Sequence, residues 1–217
     1  MKEYIDSLYH PVSPGLEQLR KRAEERSIPL ILKETESLLC SLIAMKRPGN
    51  LLEVGTACGY SSLLFSLCRA QMKITTIELR SASCLMAKKN IEEMGKTKQI
   101  QLIEGDAGEV IPCLSKELEN GKIAPFDFVF LDGAKGHYLE MWKKCLPLCS
   151  PGALIVSDNV LFRGITASEE FLDDRRNRTI MKRMREFLSY ISTSPNVATT
   201  VLPVGDGVAI SVLKNGE

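Results

Sequence analysis

Two kinds of hydrophobic pattern divide the chain. Over roughly the first 48 residues the apolar positions recur at helical spacing. Ser13-Pro14 offers a capping side chain followed by a residue whose fixed φ suits a first turn, which predicts a helix running to about Arg26. A second helix is expected from Lys33 to Lys46, stopping before Pro48-Gly49. From there on, short apolar runs at Asn50–Val54, Ile74–Ile77, Ile100–Ile103, Phe126–Leu131 and Ala153–Val156 alternate with longer amphipathic stretches. Strands alternating with helices predict a parallel sheet covered on both faces. A helix from about Thr179 to Ser192 then leads to two last strand-like runs, Val197–Pro203 and Val208–Lys214. The turn sequence Val204-Gly205-Asp206-Gly207 lies between them. The expected fold class is therefore α/β, a Rossmann-like arrangement with a mostly parallel seven-stranded sheet, helices on both faces and a C-terminal antiparallel hairpin. One domain is expected over residues 1–217, with N-terminal helices in 1–48 and the α/β core in 49–217.

Each of the first five runs ends at or beside an acid: Glu53, Glu78, Asp106, Asp132 and Asp158. Ligands of open parallel sheets bind at the carboxyl ends of the strands, so these five acids are expected to line one rim. Composition adds exclusions. Hydrophobic residues at 44% and charged residues at 25% are those of an ordinary globular chain. Lys plus Arg number 28 against 27 Asp plus Glu, so any basic surface must be local. The seven cysteines are odd in number and contain no C-x-x-C pair, which favours free thiols in a reducing cytoplasm over a disulfide framework or a zinc site. The N-terminal segment lacks the apolar core of a signal peptide. The longest apolar stretch, about Leu38 to Met45, is far short of the ~20 residues of a membrane span. A soluble cytoplasmic protein with no membrane partner is expected.

The first strand runs into Glu53-Val54-Gly55-Thr56-Ala57-Cys58-Gly59-Tyr60-Ser61. Only two glycines are present, three residues apart, where a pyrophosphate cradle wants three. The preceding carboxylate suits a cationic ligand, and S-adenosylmethionine carries a sulfonium and an ammonium but no phosphate. Glu78 is then placed for the ribose hydroxyls and Asp106-Ala107 for the adenine. Further on, Asp132 and Asp158-Asn159 end two expected neighbouring strands. Two carboxylates and an amide oxygen, without His or Cys, are hard ligands suited to Mg²⁺, Mn²⁺ or Ca²⁺. Lys135 lies three residues beyond Asp132 and can act on the proton of a substrate hydroxyl.

The segments EVGTACGYSSL, FLDGAKGHY and IVSDNVLFRG resemble those of the cation-dependent O-methyltransferases, the group of the catechol and caffeoyl-coenzyme A enzymes. The likeness runs from about Ile28 to the C-terminus. It implies metal ligands Asp132, Asp158 and Asn159, a catalytic base Lys135, and cofactor contacts from Glu53, Gly55, Thr56 and Ser61. It also implies the ribose acid Glu78, with Ile31 at the cofactor's edge and Asp132 beside it. One departure stands out: where the catechol enzymes carry bulky aromatic residues, this chain has Gly133-Ala134, which implies a roomier entrance.

The segments SDNVLFRG, RRNRTI and VGDGVAIS resemble more narrowly the bacterial tRNA 5-hydroxyuridine methyltransferases. That likeness implies methylation of 5-hydroxyuridine at the wobble position to 5-methoxyuridine, with tRNA as partner and a homodimer as the expected assembly. Arg163, Arg175, Arg176 and Arg178 are the candidate phosphate contacts. The alternatives are a small-molecule catechol or phenylpropanoid methyltransferase, a nicotinamide-dependent oxidoreductase, and a non-catalytic RNA-binding protein. The missing third glycine and the terminal hairpin disfavour the oxidoreductase. His10 and His137 have no evident role, and Trp142 and the methionines read as core or interface.

Overall fold

A computed structural model describes Tyr4, residues 7–168 and residues 175–214. The chain divides into two compact units, one ending at Asp106 and one beginning at Ala107. Among the described residues, no helix is long and apolar enough to cross a membrane.

The first unit opens with α1 (Pro14–Glu25), α2 (Lys33–Lys46) and β1 (Asn50–Val54). It continues with α3 (Tyr60–Cys68), β2 (Lys73–Glu78), α4 (Ser81–Glu93) and β3 (Ile100–Glu104). Ser13 caps α1 as its sequence predicts: the Ser13 hydroxyl accepts from the Leu16 N–H at 3.2 Å, and Pro14 occupies the first turn. α2 ends at Arg47 in a left-handed conformation (φ 52°), immediately before Pro48. The strands pair in parallel in the order β3-β2-β1, with Leu51 opposite Ile74 and Ile74 opposite Ile100. Leu51 and Leu52 are fully buried on successive, opposite faces of β1, so both faces of this sheet are covered. On α3, Leu63, Leu64 and Phe65 are fully buried.

The second unit contains α5 (Ala107–Glu119), β4 (Phe126–Leu131), α6 (Tyr138–Cys145), β5 (Cys149–Ser157), α7 (Arg175–Thr193), β6 (Val197–Leu202) and β7 (Val208–Leu213). Its strands lie in the order β4-β5-β7-β6. β4 and β5 are parallel, while β7 runs antiparallel to both β5 and β6, so the expected hairpin is present. β5 is longer than its apolar run suggests. Cys149 already pairs with Phe126, and a register shift between Phe126 and Phe128 absorbs Pro151-Gly152. The core of this unit holds Phe128, Phe130, Trp142 and Phe187, with the Tyr138 and Phe187 rings meeting edge to face at 5.6 Å. Of the methionines, Met72, Met181 and Met184 are buried, but Met45 is largely exposed.

Candidate active site

In the first unit the glycine turn is built by backbone conformation. Gly55 (φ 100°), Ala57 (φ 47°) and Gly59 (φ 83°) reverse the chain between β1 and α3. At Gly59 an added Cβ would lie 3.3 Å from the Ala87 Cβ, so φ favours glycine there and the space is tight as well. The Gly55 N–H donates to the Ile77 carbonyl at 3.0 Å, and the Gly59 N–H donates to the Thr56 carbonyl at 2.8 Å.

Glu78 ends β2, and both its oxygens are engaged. Oε2 accepts from the Ala57 N–H and Oε1 from the Arg80 N–H, each at 2.9 Å. The expected ribose acid therefore braces the turn. A carboxylate has about four acceptor directions, so directions for ligand hydroxyls remain.

Glu53 departs from the expected rim of acids. It lies inside β1 and is fully buried. Its Oε2 accepts from Ser62 and, at 2.5 Å, from Thr76, whose hydroxyl is also 2.5 Å from that of Thr56. Oε1 has no partner among the described residues. Burial raises the Glu53 carboxyl above its usual range, against hydrogen bonds from Ser61, Ser62 and Thr76 that lower it. Thr56 and Ser61 are themselves buried, and so is Ile31, whose carbonyl accepts from Arg20 Nη2 at 3.1 Å. Asp106 is exposed at the end of this unit, and Ala107 opens α5 in the next.

The second unit carries an acidic candidate site of its own. Leu131 pairs with Ser157 at the ends of β4 and β5, which sets Asp132 and Asp158 one residue beyond two neighbouring strand ends. The Asp158 N–H donates to the Leu131 carbonyl at 3.0 Å and closes that junction. Asp158 is buried; its Oδ1 accepts from the Asn159 N–H at 2.8 Å, while its Oδ2 has no partner among the described residues. Burial pushes the Asp158 carboxyl up to about 6, opposed by the Asn159 N–H and by Lys135. Asn159 adopts a left-handed conformation (φ 57°), as does Phe162 (φ 44°). For a bulky residue such as Phe that conformation costs energy, and such strain clusters at functional sites. Lys135, half-buried, opens a short 3-10 turn (Lys135–His137). Its Nζ lies 3.5 Å from Asn159 Oδ1 and 5.5 Å from the Phe162 ring centre. Among the described residues no three His, Cys, Asp or Glu side chains gather; the set here is two carboxylates and an amide oxygen.

Two supports of this site lay outside the sequence reading. Tyr138 is fully enclosed and its hydroxyl lies within reach of two carbonyls, those of Asp158 (2.8 Å) and Leu131 (3.3 Å), which ties the ends of β4 and β5 to α6. Its position three residues after Lys135 was the available signal. The turn between β6 and β7 also backs the ligand loop. The Val160 N–H donates to the Gly207 carbonyl and the Leu161 N–H to the Asp206 carbonyl, both at 2.9 Å. Gly207 has φ 90°, and an added Cβ would sit 2.3 Å from Leu161 Cγ. Of the candidate phosphate contacts, Arg178 is exposed on α7. Arg163 falls in a 3-10 turn (Phe162–Gly164) and Arg175 and Arg176 open α7, but their side chains lie outside the described residues. His137 pairs with Glu140 at 3.6 Å on the surface.

The O-methyltransferase family model matches residues 7–214. A catechol O-methyltransferase of Niastella koreensis is 34% identical over 173 residues, covering 76% of this chain and 73% of its own length. Caffeoyl-CoA O-methyltransferase 1 of Eucalyptus globulus is 30% identical over 179 residues, covering 80% and 69%. Among solved structures, a Staphylococcus aureus protein described as a candidate caffeoyl-CoA O-methyltransferase matches with a TM-score of 0.88 at 30% identity, over 98% of both chains. An O-methyltransferase of Bacillus cereus, solved in complex with S-adenosylhomocysteine, matches the fold with a TM-score of 0.81 at 24% identity, over 98% of this chain and 96% of its own. The seven-stranded Rossmann-like methyltransferase fold is thus shared from end to end, and the chain belongs to the O-methyltransferase family.

Proposed function

We propose that this chain transfers the methyl group of S-adenosylmethionine to a hydroxyl that has a second oxygen beside it. The observation that carries the acceptor half of this reading is Asp158: a buried carboxylate with one unpartnered oxygen, next to Asn159 and Lys135 and across a strand junction from Asp132. Such a carboxylate calls for a positive charge, and the donor set is hard oxygen. Asp132, Asp158 and Asn159 would hold Mg²⁺, which supplies Lewis acidity that favours ionisation of a bound hydroxyl. Lys135 stands beside Asn159, where in its unprotonated amine form it takes up the proton that the acceptor hydroxyl loses and becomes the ammonium. Tyr138 keeps the two strand ends in register, and the Phe162 ring flanks the Lys135 side chain. In the first unit the glycine turn, braced by Glu78, receives the methyl donor, and Glu53 holds the hydroxyls of Ser62 and Thr76 in place behind it. The acceptor oxygen bonds to the methyl carbon as the carbon–sulfur bond breaks and S-adenosylhomocysteine leaves neutral at sulfur, so the protein's task is alignment and exclusion of water.

For the acceptor itself we propose 5-hydroxyuridine at the tRNA wobble position. Its 5-hydroxyl and 4-carbonyl oxygens are vicinal, the small Gly133-Ala134 pair leaves room for a base, and Arg178 and Lys182 are exposed on α7. The resemblance of the RRNRTI and VGDGVAIS segments supports this reading. The relatives named for catechol and caffeoyl-CoA favour a second one, a small vicinal diol. Nucleoside mass spectrometry separates the two. Hydroxylated bulk tRNA incubated with protein, S-adenosylmethionine and Mg²⁺ is expected to yield 5-methoxyuridine, and Asp158→Ala is expected to yield none. If a catechol turns over while tRNA never does, the small-molecule reading replaces the tRNA one. Full turnover by Asp158→Ala would sink the metal-site reading altogether.

A further inference from the structure

The most heavily hydrogen-bonded carboxylate of the first unit lies outside the cradle. Glu36, on α2, is 1% exposed. Its Oε2 accepts from Arg20 Nη2 at 2.7 Å and from the Tyr60 hydroxyl at 2.6 Å, and its Oε1 accepts from the Tyr9 hydroxyl at 2.8 Å. Arg20, itself buried on α1, also donates from Nε to the Tyr60 hydroxyl at 3.1 Å and from Nη2 to the Ile31 carbonyl at 3.1 Å. Its guanidinium carbon lies 4.6 Å from the Tyr60 ring centre. One buried ion pair thus joins the segment before α1, α1 itself, the Ile31 backbone, α2 and the first residue of α3.

Burying an ion pair costs desolvation, and apolar packing of the same volume would hold two helices together as well or better. What apolar packing does not do is set the direction of a carbonyl and a ring to a fraction of an ångström. Two of the groups this pair grips are neighbours of the cradle: Tyr60 stands between Gly59 and Ser61, and Ile31 precedes α2. Hydrogen bonding to Glu36 accompanies a Tyr9 hydroxyl pushed up to about 12, with burial the larger cause, so the tyrosine remains a donor at any ordinary pH.

We propose that Glu36 is a positioning residue for the methyl-donor cradle, acting through Arg20 on the Ile31 backbone and through Tyr60 on the start of α3. The proposal rests on the reading of the glycine turn as the S-adenosylmethionine site. It assigns Glu36, Arg20 and Tyr60 an effect on donor affinity with none on the acidic candidate site.

The test is calorimetric titration of S-adenosylhomocysteine, and separately of Mg²⁺, into the full chain and its variants. Glu36→Gln keeps the shape and removes the charge. It is expected to raise the S-adenosylhomocysteine Kd about tenfold or more while Mg²⁺ affinity stays within about twofold. Tyr60→Phe, which retains the ring packing, is expected to weaken S-adenosylhomocysteine by about three- to tenfold and carries the test if Glu36→Gln does not fold. Arg20→Lys keeps the charge but not the fork that serves Glu36, Tyr60, Glu24 and the Ile31 carbonyl, and is expected to behave like Tyr60→Phe. Lys21→Ala, on the exposed side of α1, is the control and should bind as the parent does. In steady state the same variants should raise the KM for S-adenosylmethionine and leave that of the acceptor unchanged. A lower melting temperature with S-adenosylhomocysteine affinity within twofold of the parent in Glu36→Gln, Tyr60→Phe and Arg20→Lys overturns the proposal, because the network is then only a brace. If the parent chain itself binds no S-adenosylhomocysteine, the cofactor reading falls, and this inference with it.

Discussion

At the scale of single residues, burial raises one carboxyl in each unit, Glu53 in the first and Asp158 in the second. Glu53 has its carboxyl raised, so its folded-state value lies above its unfolded one. The sign follows: its contribution to stability is fully present below the unfolded value near 4.3 and is lost as pH rises through the folded value. Glu53→Gln removes that loss. The variant's melting temperature should therefore gain on the parent as pH is taken from 4 to 8, and a constant difference across that range would show that Glu53 is not held against its charge. Tyr138 offers a second reading at this scale. Tyr138→Phe takes the hydroxyl donor from the Asp158 carbonyl, while the Leu131 carbonyl keeps the Asp158 N–H, at a cost of about 1–2 kcal/mol in urea unfolding. If the junction orients Asp132 and Asp158, Mg²⁺ affinity should fall about tenfold as well. A stability loss with unchanged Mg²⁺ affinity would reduce Tyr138 to a core residue.

At the scale of elements, the turn between β6 and β7 works with the loop after β5. Gly207 is held there by a left-handed backbone and by the Leu161 side chain, which leaves no room for a Cβ. Gly207→Ala should destabilise the chain by about 1–3 kcal/mol and move the loop that carries Asn159 through the Val160 and Leu161 hydrogen bonds. Melting temperature and Mg²⁺ affinity would both fall; unchanged values would mean that the turn gives way at no cost. The elements themselves were largely readable in the sequence. Ser13-Pro14, Pro48-Gly49 and the period of the apolar residues placed α1 and α2, and the five runs placed β1 to β5 because a buried strand needs apolar residues on both faces. The apolar run Ala153–Val156 covers only part of β5, because residues 149–152 carry no such run and only pairing with β4 draws them into the strand.

At the scale of the whole molecule, the family model spans residues 7–214 without a break, although the chain divides into two compact units. We expect the chain to behave as one domain. The single Trp142 reports on the second unit, whereas S-adenosylhomocysteine is proposed to bind in the first. At about 100 times its Kd the ligand adds about 2.7 kcal/mol to whatever unfolds with its site. Trp142 fluorescence and far-ultraviolet circular dichroism should then shift together to the same higher temperature. A Trp142 transition that ignores the ligand would show two separately folding parts.

The division between sequence and structure has a physical basis. The spacing of apolar residues, the glycine turn, the acids at strand ends and the Asp-Asn pair are local patterns, and local patterns act through periodicity and backbone conformation. They determined the α/β class, the order of elements and the candidate residues Glu78, Asp132, Lys135, Asp158 and Asn159. Which acids are buried is a different kind of fact. That Glu53 turns inward to Ser62 and Thr76, that Glu36 gathers Tyr9, Arg20 and Tyr60, and that Gly207 packs under Leu161 each depend on residues far apart in the chain. Desolvation and hydrogen-bond geometry exist only once those residues are brought together, so only the tertiary structure decided which carboxylates are buried and which groups they hold.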